Sequence, residues 1–461
     1  MPILRETVLR ALQDKNVEGD GNMLRTHTCG ELRAADEGKK VVLAGWLDAI
    51  RVQGKVGFLL LRDRDGVTQV FLKSDLAKEH AATPKESVLL VTGVVKRRPE
   101  NQLRHEMRTG MIEVAAESVE VLTEAETPLP IEIADETTTG LDKRLDYRFL
   151  DVRRKRIGSI FKIRSRIIAF TNEFFSKERF IAINTPKLTK SGVESGAEEF
   201  KMEYFGKKAS LAQSPQVYKQ MFVMAGLERV YEIGTIFRAE KSRTTRHLTE
   251  FVGIDMEMGF ITDEHDVMDV VERFCQYITH RVAEECKEEL AALDVSVPTP
   301  QKIPRMTIQE IRTILAKQGK IVPEDEDLDA EGERLLGEHV LAHYGCEFVF
   351  VLNYPWKKRP FYHMRPKGDP HGTKSFDLIY NGVEIGTGAQ REHRLAILEQ
   401  QCQEKGIDMG LLGFYRDIFR YGAIPHGGVG LGLDRIVEQM LHLGNVREAI
   451  LLPRDPDRLT P

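Results

Sequence analysis

The densest group of reactive side chains lies between Phe237 and Phe251, in the stretch FRAEKSRTTRHLTEF. Apolar, strand-like runs flank it at 230–236 and 251–258, so the pattern predicts a β-hairpin with a polar, basic loop. Guanidinium groups stay charged and bind phosphate oxygens in bidentate fashion, which suits them to a polyphosphate. An isolated basic loop is also typical of a solvated hairpin tip, and the loop alone leaves both interpretations open.

The charges on the flanking strands favour a ligand site. Arg238 and Glu240 alternate onto one face of the first strand, and Asp255 and Glu257 share a face of the second. Because burying a charge is costly unless it is paired, charges at such positions in a sheet indicate a site.

Two further stretches carry side chains suited to a small, charged ligand. Gln216 and Lys219 lie three residues apart, which places them on one face of a predicted helix, where Lys219 offers a cation for a carboxylate. Asp377 and Glu384 flank an Asn-Gly hairpin turn. Carboxylates of this kind are ligands for a hard cation that bridges phosphates.

The glycine-rich stretch GGVGLGLDR, residues 427–435, predicts a strand leading into a helix. It lacks the lysine-hydroxyl ending of a P-loop, and no βαβ unit precedes it, which excludes the dinucleotide-binding interpretation. A glycine-rich strand allows a ligand to approach the backbone closely. The stretch therefore predicts a second wall of the same site.

Residues 23–124 contain five strand-like runs in about a hundred residues, a pattern that predicts a small Greek-key barrel of the OB type. Such barrels bind single-stranded nucleic acid by stacking bases on aromatic side chains. Phe58 and Gln69 lie on consecutive predicted strands, and Arg51 lies in the preceding predicted loop. Taken alone, Phe58 is more typical of a core position than of a binding platform.

Composition indicates a globular protein of more than one domain. The chain has 461 residues, of which 41% are hydrophobic and 30% are charged, with a net charge of −5. A net negative charge means that any nucleic acid must be held by local patches. No apolar run approaches the ~18 residues of a membrane span, and the mixed-charge N-terminus is unlike a secretory signal. These features predict a cytoplasmic protein with no membrane partner, and its five cysteines, which form no CxxC pair, predict neither a disulfide framework nor a zinc site.

From about Arg25 to its end, the chain resembles the class II aminoacyl-tRNA synthetases, and in particular the compact archaeal and eukaryotic aspartyl enzymes. The basic hairpin is similar to their motif 2, the stretch 427–435 to motif 3, and a predicted helix, strand and Pro186 to motif 1. The resemblance implies an α+β protein, with an OB-fold β-barrel followed by an antiparallel-sheet catalytic domain. Motif 1 is the family's dimerisation element, so it also implies a homodimer with Pro186 at the interface.

On this basis we divide the chain into four parts. These are an N-terminal helical extension (1–22), an anticodon-binding OB-fold domain (23–124), a hinge (125–155) and a class II catalytic domain (156–461). The arginine run inside the hinge, between Leu141 and Arg154, is typical of a solvated face.

The resemblance assigns ATP binding to residues of motifs 2 and 3. Arg238 would bridge the substrate carboxylate and the α-phosphate, while Arg435 and His247 would hold the γ-phosphate; Arg238 and Arg435 are thus the catalytic candidates. Phe251 would stack on the adenine, and Glu240 would accept from its amino group. The implied ATP-binding set is Arg238, Glu240, Arg246, His247, Phe251, Glu384 and Arg435, and the implied Mg²⁺ ligands are Asp377, Glu384 and Thr387.

For L-aspartate, the resemblance implies that Arg391 and Lys219 clamp the side-chain carboxylate. Asp255, Gln216 and Glu194 would surround the α-ammonium, and Thr387 would complete the pocket. Two cations around one side chain favour aspartate, since an amide would leave a charge unpaired.

The implied acceptor is the aspartate tRNA, with the asparagine tRNA left open as a second acceptor. Phe58 would stack the central anticodon base, Gln69 would read it, and Arg51 would add a further contact. The alternatives are an asparaginyl-type enzyme, a paralogue that activates an amino acid for another acceptor, and a non-catalytic nucleic-acid-binding regulator. The last is disfavoured because Arg238 and Arg435 are both present.

Overall fold

The structure is a computed structural model that describes residues 24–190, 198–242, 244–410 and 413–461. The predicted extension at 1–22 and the predicted ligand Glu194 lie outside the described residues. Contacts divide the chain into two compact units, Met1–Glu132 and Ile133–Pro461, and this division falls inside the stretch 125–155 that we assign to a hinge.

The strands are β1 Lys40–Gln53, β2 Val56–Arg62, β3 Val67–Lys73, β4 Val88–Arg97, β5 Ile112–Thr123, β6 Ile181–Ala182, β7 Leu188–Lys190, β8 Lys201–Tyr204, β9 Lys207–Leu211, β10 Arg229–Phe237, β11 Glu250–Gly259, β12 Arg305–Thr307, β13 Phe348–Leu352, β14 Ser375–Tyr380, β15 Val383–Arg391 and β16 His426–Gly432. The helices are α1 Ser74–Glu79, α2 Leu141–Asp146, α3 Arg148–Asp151, α4 Lys155–Lys177, α5 Gln216–Phe222, α6 Glu264–Glu285, α7 Lys287–Leu293, α8 Ile308–Lys317, α9 Ala330–Tyr344, α10 Leu395–Glu404, α11 Gly413–Arg420 and α12 Leu433–Met440.

The first unit is a five-stranded barrel closed in the order β1-β2-β3-β5-β4, with β1 pairing to both β2 and β4. Burial alternates along β2 and β3, so that Leu59, Leu61, Val70 and Leu72 fill the interior while their neighbours face outward. The OB-type barrel predicted from the spacing of the strand-like runs is confirmed.

The second unit is built on an eight-stranded sheet with the order β12-β13-β14-β15-β16-β11-β10-β6. Its pairings are antiparallel except at the two edges, where β12 runs parallel to β13 and β6 parallel to β10. A smaller sheet has the order β7-β9-β8. The antiparallel catalytic sheet expected from the resemblance is therefore present.

β10 and β11 form the predicted basic hairpin, paired from Arg229 opposite Met258 to Phe237 opposite Glu250. The first strand ends at Phe237, so the prediction that Arg238 and Glu240 occupy strand positions is wrong. The backbone amide of Ala239 donates to the backbone carbonyl of Glu198 at 2.9 Å and thus leaves the hairpin ladder.

The two faces of β11 have different functions. Ile254, Met256 and Met258 point into the hydrophobic core, which α4 and α6 cover with buried apolar residues. Because side chains alternate along a strand, Phe251 and Asp255 project from the other face. The sheet therefore supports a core on one side and leaves the other side available for a ligand.

The motif 1 strand is shorter than the run Phe180–Pro186 that the sequence predicts, since only Ile181 and Ala182 pair with β10. Beyond them, the backbone amide of Thr185 donates to the carboxylate of Glu232 at 3.1 Å. A side chain thus replaces the ladder and ends the strand.

The arginines of the predicted hinge are buried or half-buried, so the expectation of a solvated face is wrong. Arg148 is 2% exposed and donates to Asp151 at 2.6 Å, and Arg154 donates to the other oxygen of Asp151 at 2.8 Å. Arg144 pairs with Glu448 from the C-terminal part of the chain. The run therefore anchors α2 and α3 within the second unit.

The five cysteines are buried free thiols. Among the described residues, no helix is long and apolar enough to span a membrane.

Candidate active site and anticodon face

A cavity of about 340 Å³ lies over the middle of the large sheet, at β11, β15 and β16. It brings together most residues predicted for ATP and amino-acid binding: Gln216, Arg238, Glu240, Arg246, His247, Phe251, Asp255, Glu384, Thr387, Arg391 and Arg435. Lys219 and Asp377 lie just behind this lining, where Lys219 contacts Asp255 and Asp377 contacts Arg359.

Arg391, at the end of β15, is a deeply buried charge of the cavity and is 2% exposed. Its Nε donates to Glu257 Oε1 at 3.0 Å and its Nη2 to Glu257 Oε2 at 3.3 Å. Nη2 also donates to Gln216 Oε1 at 3.1 Å and to the carbonyl of Gly428 at 3.0 Å, and Nη1 donates to His363 Nε2 at 2.9 Å. These contacts fix the plane of the guanidinium.

Glu257 is fully buried on β11 and joins both predicted aspartate-binding cations. It pairs with Arg391 and lies 3.4 Å from Lys219 Nζ. Burial alone would raise the pKa of Glu257, but Arg391 and Lys219 outweigh burial and hold that pKa below its usual range. The carboxylate is therefore ionised and compensates one of the two cations.

Lys219 is buried on α5 and is held by the strands beneath it. Its Nζ donates to Asp255 Oδ1 at 2.9 Å and to the carbonyl of Val429 at 3.1 Å. Gln216 lies one helical turn earlier and donates to Glu257 at 3.4 Å. The predicted helix face is confirmed, and it delivers both side chains to the same cluster.

The glycines of β16 make room for this cluster. A Cβ at Gly428 would lie 2.2 Å from Glu257 Oε2 and 2.2 Å from the carbonyl of Met256. A Cβ at Gly430 would lie 3.0 Å from Asp255 Oδ1. The glycine pattern of the motif therefore reflects the buried carboxylates of the neighbouring strand.

Three basic side chains meet at the other end of the cavity. Arg435, at the start of α12, donates to the carbonyl of Glu384 at 2.7 Å, and Arg246 pairs with Glu333 at 3.0 Å. Nδ1 of His247 shares a hydrogen bond with the hydroxyl of Thr244, at 2.5 Å. Burial and the nearby Arg435 lower the pKa of His247, so at neutral pH the ring is uncharged beside the two arginines.

Asp434 fixes the start of α12, the helix that carries Arg435. Asp434 accepts from the backbone amide of Val252 at 2.9 Å and from Arg164 of α4 at 2.7 Å. This buried carboxylate thus joins α12, β11 and α4 at the edge of the cavity.

On the opposite wall, Arg238 lies over the ring of Phe251, with the guanidinium carbon 5.4 Å from the ring centroid. Glu240 lines the same wall. A planar aromatic ring with a cation on its face is an arrangement that accepts a planar heterocycle by stacking.

Carboxylates crowd the floor of the cavity around Glu384. Burial raises the pKa of Asp327 to about 6, with further repulsion from Asp377 and Glu384. Burial and Glu384 raise the pKa of Glu333 to about 7, and burial and Asp377 raise the pKa of Glu384 itself. Such crowding favours either protonation or a bound cation.

The three predicted Mg²⁺ ligands are not equivalent in the structure. Thr387 donates its hydroxyl to Glu384 at 3.1 Å, whereas both oxygens of Asp377 accept from Arg359, at 2.9 and 2.6 Å. The turn between Asp377 and Glu384 is confirmed, with φ of 47° at Asn381 and 72° at Gly382. Within the described ranges, no group of three or more His, Cys, Asp or Glu side chains is arranged to hold a metal ion.

The predicted anticodon residues share the outer face of the barrel. Phe58 lies opposite Phe71, with ring centroids 5.6 Å apart, and Gln69 lies diagonally from Phe58, opposite Leu60. Gln69 donates to Glu113 at 2.9 Å. The structure thus places Phe58 half-exposed on the outer face and not in the core.

The sequence predicts Arg51 in a loop, and this prediction is wrong. Arg51 lies in the long strand β1, paired with Phe58. The strand extends beyond the predicted run because β1 and β2 continue as a hairpin to Gln53 and Val56. Arg51 therefore lies on the same face as Phe58.

The motifs of the sequence predict no role for Glu257, His363, Arg359 and Glu333. A signal existed for Glu257, whose alternation with Asp255 placed it on the ligand face. The other three come from connecting segments and from α9, and they reach the cavity only through tertiary folding.

Residues 140–456 match the family described as tRNA synthetases class II (D, K and N), and residues 41–122 match the OB-fold nucleic acid binding domain. Over 95% of its length, the chain is 44% identical to the aspartate–tRNA(Asp) ligase of Pyrococcus abyssi and 43% identical to the aspartate–tRNA(Asp/Asn) ligase of Archaeoglobus fulgidus. Both relatives are covered over 100% of their own length.

Solved structures agree with these matches. Asparaginyl-tRNA synthetase from Pyrococcus horikoshii, complexed with asparaginyl-adenylate, superposes with a TM-score of 0.87 at 33% identity, covering 94% of this chain and 99% of that one. Aspartyl tRNA synthetase from Entamoeba histolytica gives 0.85 at 30% identity, covering 98% and 94%. With the cavity and barrel described above, these matches establish that the chain belongs to the class II aminoacyl-tRNA synthetases, and within them to the aspartate–tRNA ligases.

Proposed function

We propose that this protein activates L-aspartate with ATP and transfers the aspartyl group to the 3′ end of the aspartate tRNA. The observation that carries the proposal is the buried cluster of Arg391, Lys219, Glu257 and Asp255 at one end of the cavity. The relatives named aspartate–tRNA ligases support the same substrate.

The charge balance of the cluster suits aspartate. Arg391 and Lys219 supply two positive charges, and Glu257, which is fully buried beneath them, compensates one. If Asp255 pairs with the substrate's α-ammonium, one positive charge remains for the side-chain carboxylate. Asparagine would leave that charge uncompensated in a buried site, which costs binding free energy.

Adenylate formation requires two anions to meet, so the protein's task is positioning and charge neutralisation. The substrate α-carboxylate attacks the α-phosphorus, and pyrophosphate leaves. Arg238 would bridge these two groups, while Arg435, Arg246 and the neutral His247 would bind the terminal phosphates; their common place in the cavity lining supports these roles. In the second step, a terminal ribose hydroxyl of the tRNA attacks the carbonyl carbon, and AMP leaves.

Mg²⁺ fits the floor of the cavity. The raised pKa values of Glu384 and Glu333 mark a place where negative charge is crowded and only partly compensated, and the Thr387 hydroxyl adds a neutral oxygen. We propose Glu384 and Thr387 as the main ligands. Asp377 would contribute if one of its oxygens bound the cation while the other kept its hydrogen bond to Arg359. The cation would neutralise the phosphates when ATP binds.

The barrel and the sheet edge support two further proposals. Phe58 would stack an anticodon base beside Gln69, with Arg51 contacting the backbone, because all three share one face. The exposed β6 edge, where Ile181 is 45% exposed and Pro186 also faces solvent, supports a homodimer through motif 1.

The test is aminoacylation of purified aspartate and asparagine tRNAs with labelled aspartate, ATP and Mg²⁺. Charging of the aspartate tRNA alone would establish a discriminating enzyme, and charging of both would establish a non-discriminating one. Failure to charge either tRNA, with adenylate still formed, would refute the tRNA ligase proposal in favour of an amino-acid-activating paralogue.

A further inference from the structure

His363 is a buried histidine in the wall of the cavity that none of the roles above uses. It is 2% exposed, and its backbone forms an isolated bridge with Arg391. Its Nε2 lies 2.9 Å from Arg391 Nη1. The ring therefore touches the guanidinium that we assign to the substrate side chain.

The partner identifies the tautomer of His363. An arginine guanidinium only donates hydrogen bonds, so Nε2 must carry the lone pair and the proton of the neutral ring must reside on Nδ1. Nδ1 is buried and has no hydrogen-bond partner among the described residues. An unsatisfied buried donor at Nδ1 destabilises the fold. Any favourable polar contact of this histidine is therefore the one that Nε2 makes with Arg391.

The hydrogen bonds of Arg391 show what Nε2 does. Of its five N–H groups, the one on Nε binds Glu257, and the two on Nη2 are shared among Gln216, the Gly428 carbonyl and the second oxygen of Glu257. One N–H of Nη1 binds His363. The other N–H of Nη1 has no acceptor among the residues that the structure describes, so it is available to a ligand in the cavity.

A neutral acceptor at this position has a distinct advantage. Glu257 already compensates the charge of Arg391, and a second carboxylate beside it would repel an anionic substrate side chain. An imidazole nitrogen orients Nη1 without adding negative charge. Burial, together with Arg391, Arg359, Lys219 and Lys405, holds the pKa of His363 well below its usual value, so the ring stays neutral and keeps its lone pair.

We propose that His363 is a positioning residue for amino-acid recognition, whose Nε2 orients the Arg391 guanidinium so that its remaining Nη1 hydrogen meets the side-chain carboxylate of the substrate. This inference rests on the proposed function, because it takes aspartate as the ligand of Arg391.

The test uses the full-length protein in aspartate-dependent pyrophosphate exchange, with KM measured separately for aspartate and for ATP. His363→Leu removes the acceptor, whereas His363→Gln places an amide oxygen near the position of Nε2. His393→Leu is the matched control, since His393 is a partly buried histidine two residues from Arg391 that does not line the cavity. Thermal unfolding of each variant is recorded alongside.

We expect His363→Leu to raise the KM for aspartate about tenfold or more, since a hydrogen bond to a charged group is lost. The KM for ATP should stay within about twofold, and His363→Gln should restore most of the aspartate affinity. An unchanged aspartate KM in His363→Leu would overturn the inference. So would a parallel rise in both KM values that the glutamine variant does not rescue, because that result marks a purely structural residue.

If His363→Leu does not fold, the tautomer of His363 in the wild-type protein tests the inference instead. NMR of a sample labelled with ¹⁵N-histidine reports the tautomer, and the signal that is missing from His363→Gln belongs to His363. We expect a proton on Nδ1 of His363 and none on Nε2. A proton on Nε2 would overturn the inference, since Nε2 could not then accept from Arg391. Absence of aspartate-dependent exchange in the wild type would instead refute the proposed function.

Discussion

Replacing Glu257 by glutamine removes the negative charge beneath both side-chain cations while keeping the shape of the residue. Arg391 donates to both oxygens of Glu257, at 3.0 and 3.3 Å, and Lys219 lies 3.4 Å away. The amide nitrogen of a glutamine would face a donor, so one charge-assisted hydrogen bond is lost and a buried cation is left uncompensated.

Two measurements follow from that geometry. Removing one partner of a buried ion pair costs about 3–5 kcal/mol, and the oxygen that glutamine retains places the expected loss in unfolding free energy near the lower limit, at about 3 kcal/mol. Misplacement of Arg391 should cost about 2 kcal/mol in transition-state binding, or a roughly 30-fold fall in kcat/KM for aspartate. Denaturant unfolding and pyrophosphate exchange measure the two effects.

The lowered pKa of Glu257 also determines how the stability difference between wild type and Glu257→Gln depends on pH. The folded-state pKa of Glu257 is depressed, so its ionised form stabilises the protein above the ordinary value of 4.5, and that stability is lost as the pH falls through the lower folded-state value. The difference between wild type and Glu257→Gln should therefore persist at neutral pH and shrink below about pH 4.5.

Glu264→Gln is the control for Glu257→Gln. Glu264 is also a buried glutamate near a lysine, with Lys374 at 3.6 Å, but it does not line the cavity. Its substitution should leave the aspartate KM unchanged. A Glu257→Gln enzyme with wild-type stability and an aspartate kcat/KM within about threefold of normal would refute the role assigned to this cluster.

Three other predictions follow from the site and the barrel. Burial raises the pKa of Glu438 to about 7, so its ionisation destabilises the folded protein as the pH rises from about 4.5 through about 7. Glu438→Gln should therefore stabilise the protein by on the order of 2 kcal/mol at pH 8 and by little at pH 4. Chemical unfolding at both pH values measures this difference. Thr387→Val should raise the Mg²⁺ concentration for half-maximal exchange several-fold, whereas Thr387→Ser should not, and equal Mg²⁺ titrations for the two variants would contradict the proposed ligand. Phe58→Ala should raise the KM for tRNA about tenfold, from the ~1–3 kcal/mol of one base–aromatic stack, without changing pyrophosphate exchange.

The sequence predicts the frame of the protein well because periodicity and turn residues act locally. The strands of the barrel and the Asn381-Gly382 hairpin are confirmed for that reason. The cavity also collects the residues of three separate motifs, since the sheet order places β11, β15 and β16 side by side.

What local patterns miss are contacts between distant segments. The arginines of α2 and α3 look solvated in sequence, yet Asp151 and the distant Glu448 pair with them. Arg359 engages Asp377 in the same way, and Glu333 engages Arg246. No spacing rule reports that a charged side chain will meet its partner from another element.

Strand ends are the other weak point, because side chains and neighbouring loops compete for backbone groups. Glu232 captures the amide of Thr185 and shortens the motif 1 strand, and Glu198 captures Ala239 at the end of β10. Neither competitor lies close in sequence to the residue it binds.

The room that Gly428 leaves for Glu257 has a consequence for how this enzyme can evolve. A Cβ at Gly428 would lie 2.2 Å from both the Glu257 carboxylate and the Met256 backbone carbonyl, so loss of the glutamate alone would not make room for a side chain at the glycine. Loss of the glutamate alone leaves Arg391 without its anion, and each single step is therefore deleterious. Selection is expected to keep the two positions together, so that changes in amino-acid preference arise at other positions of the cavity.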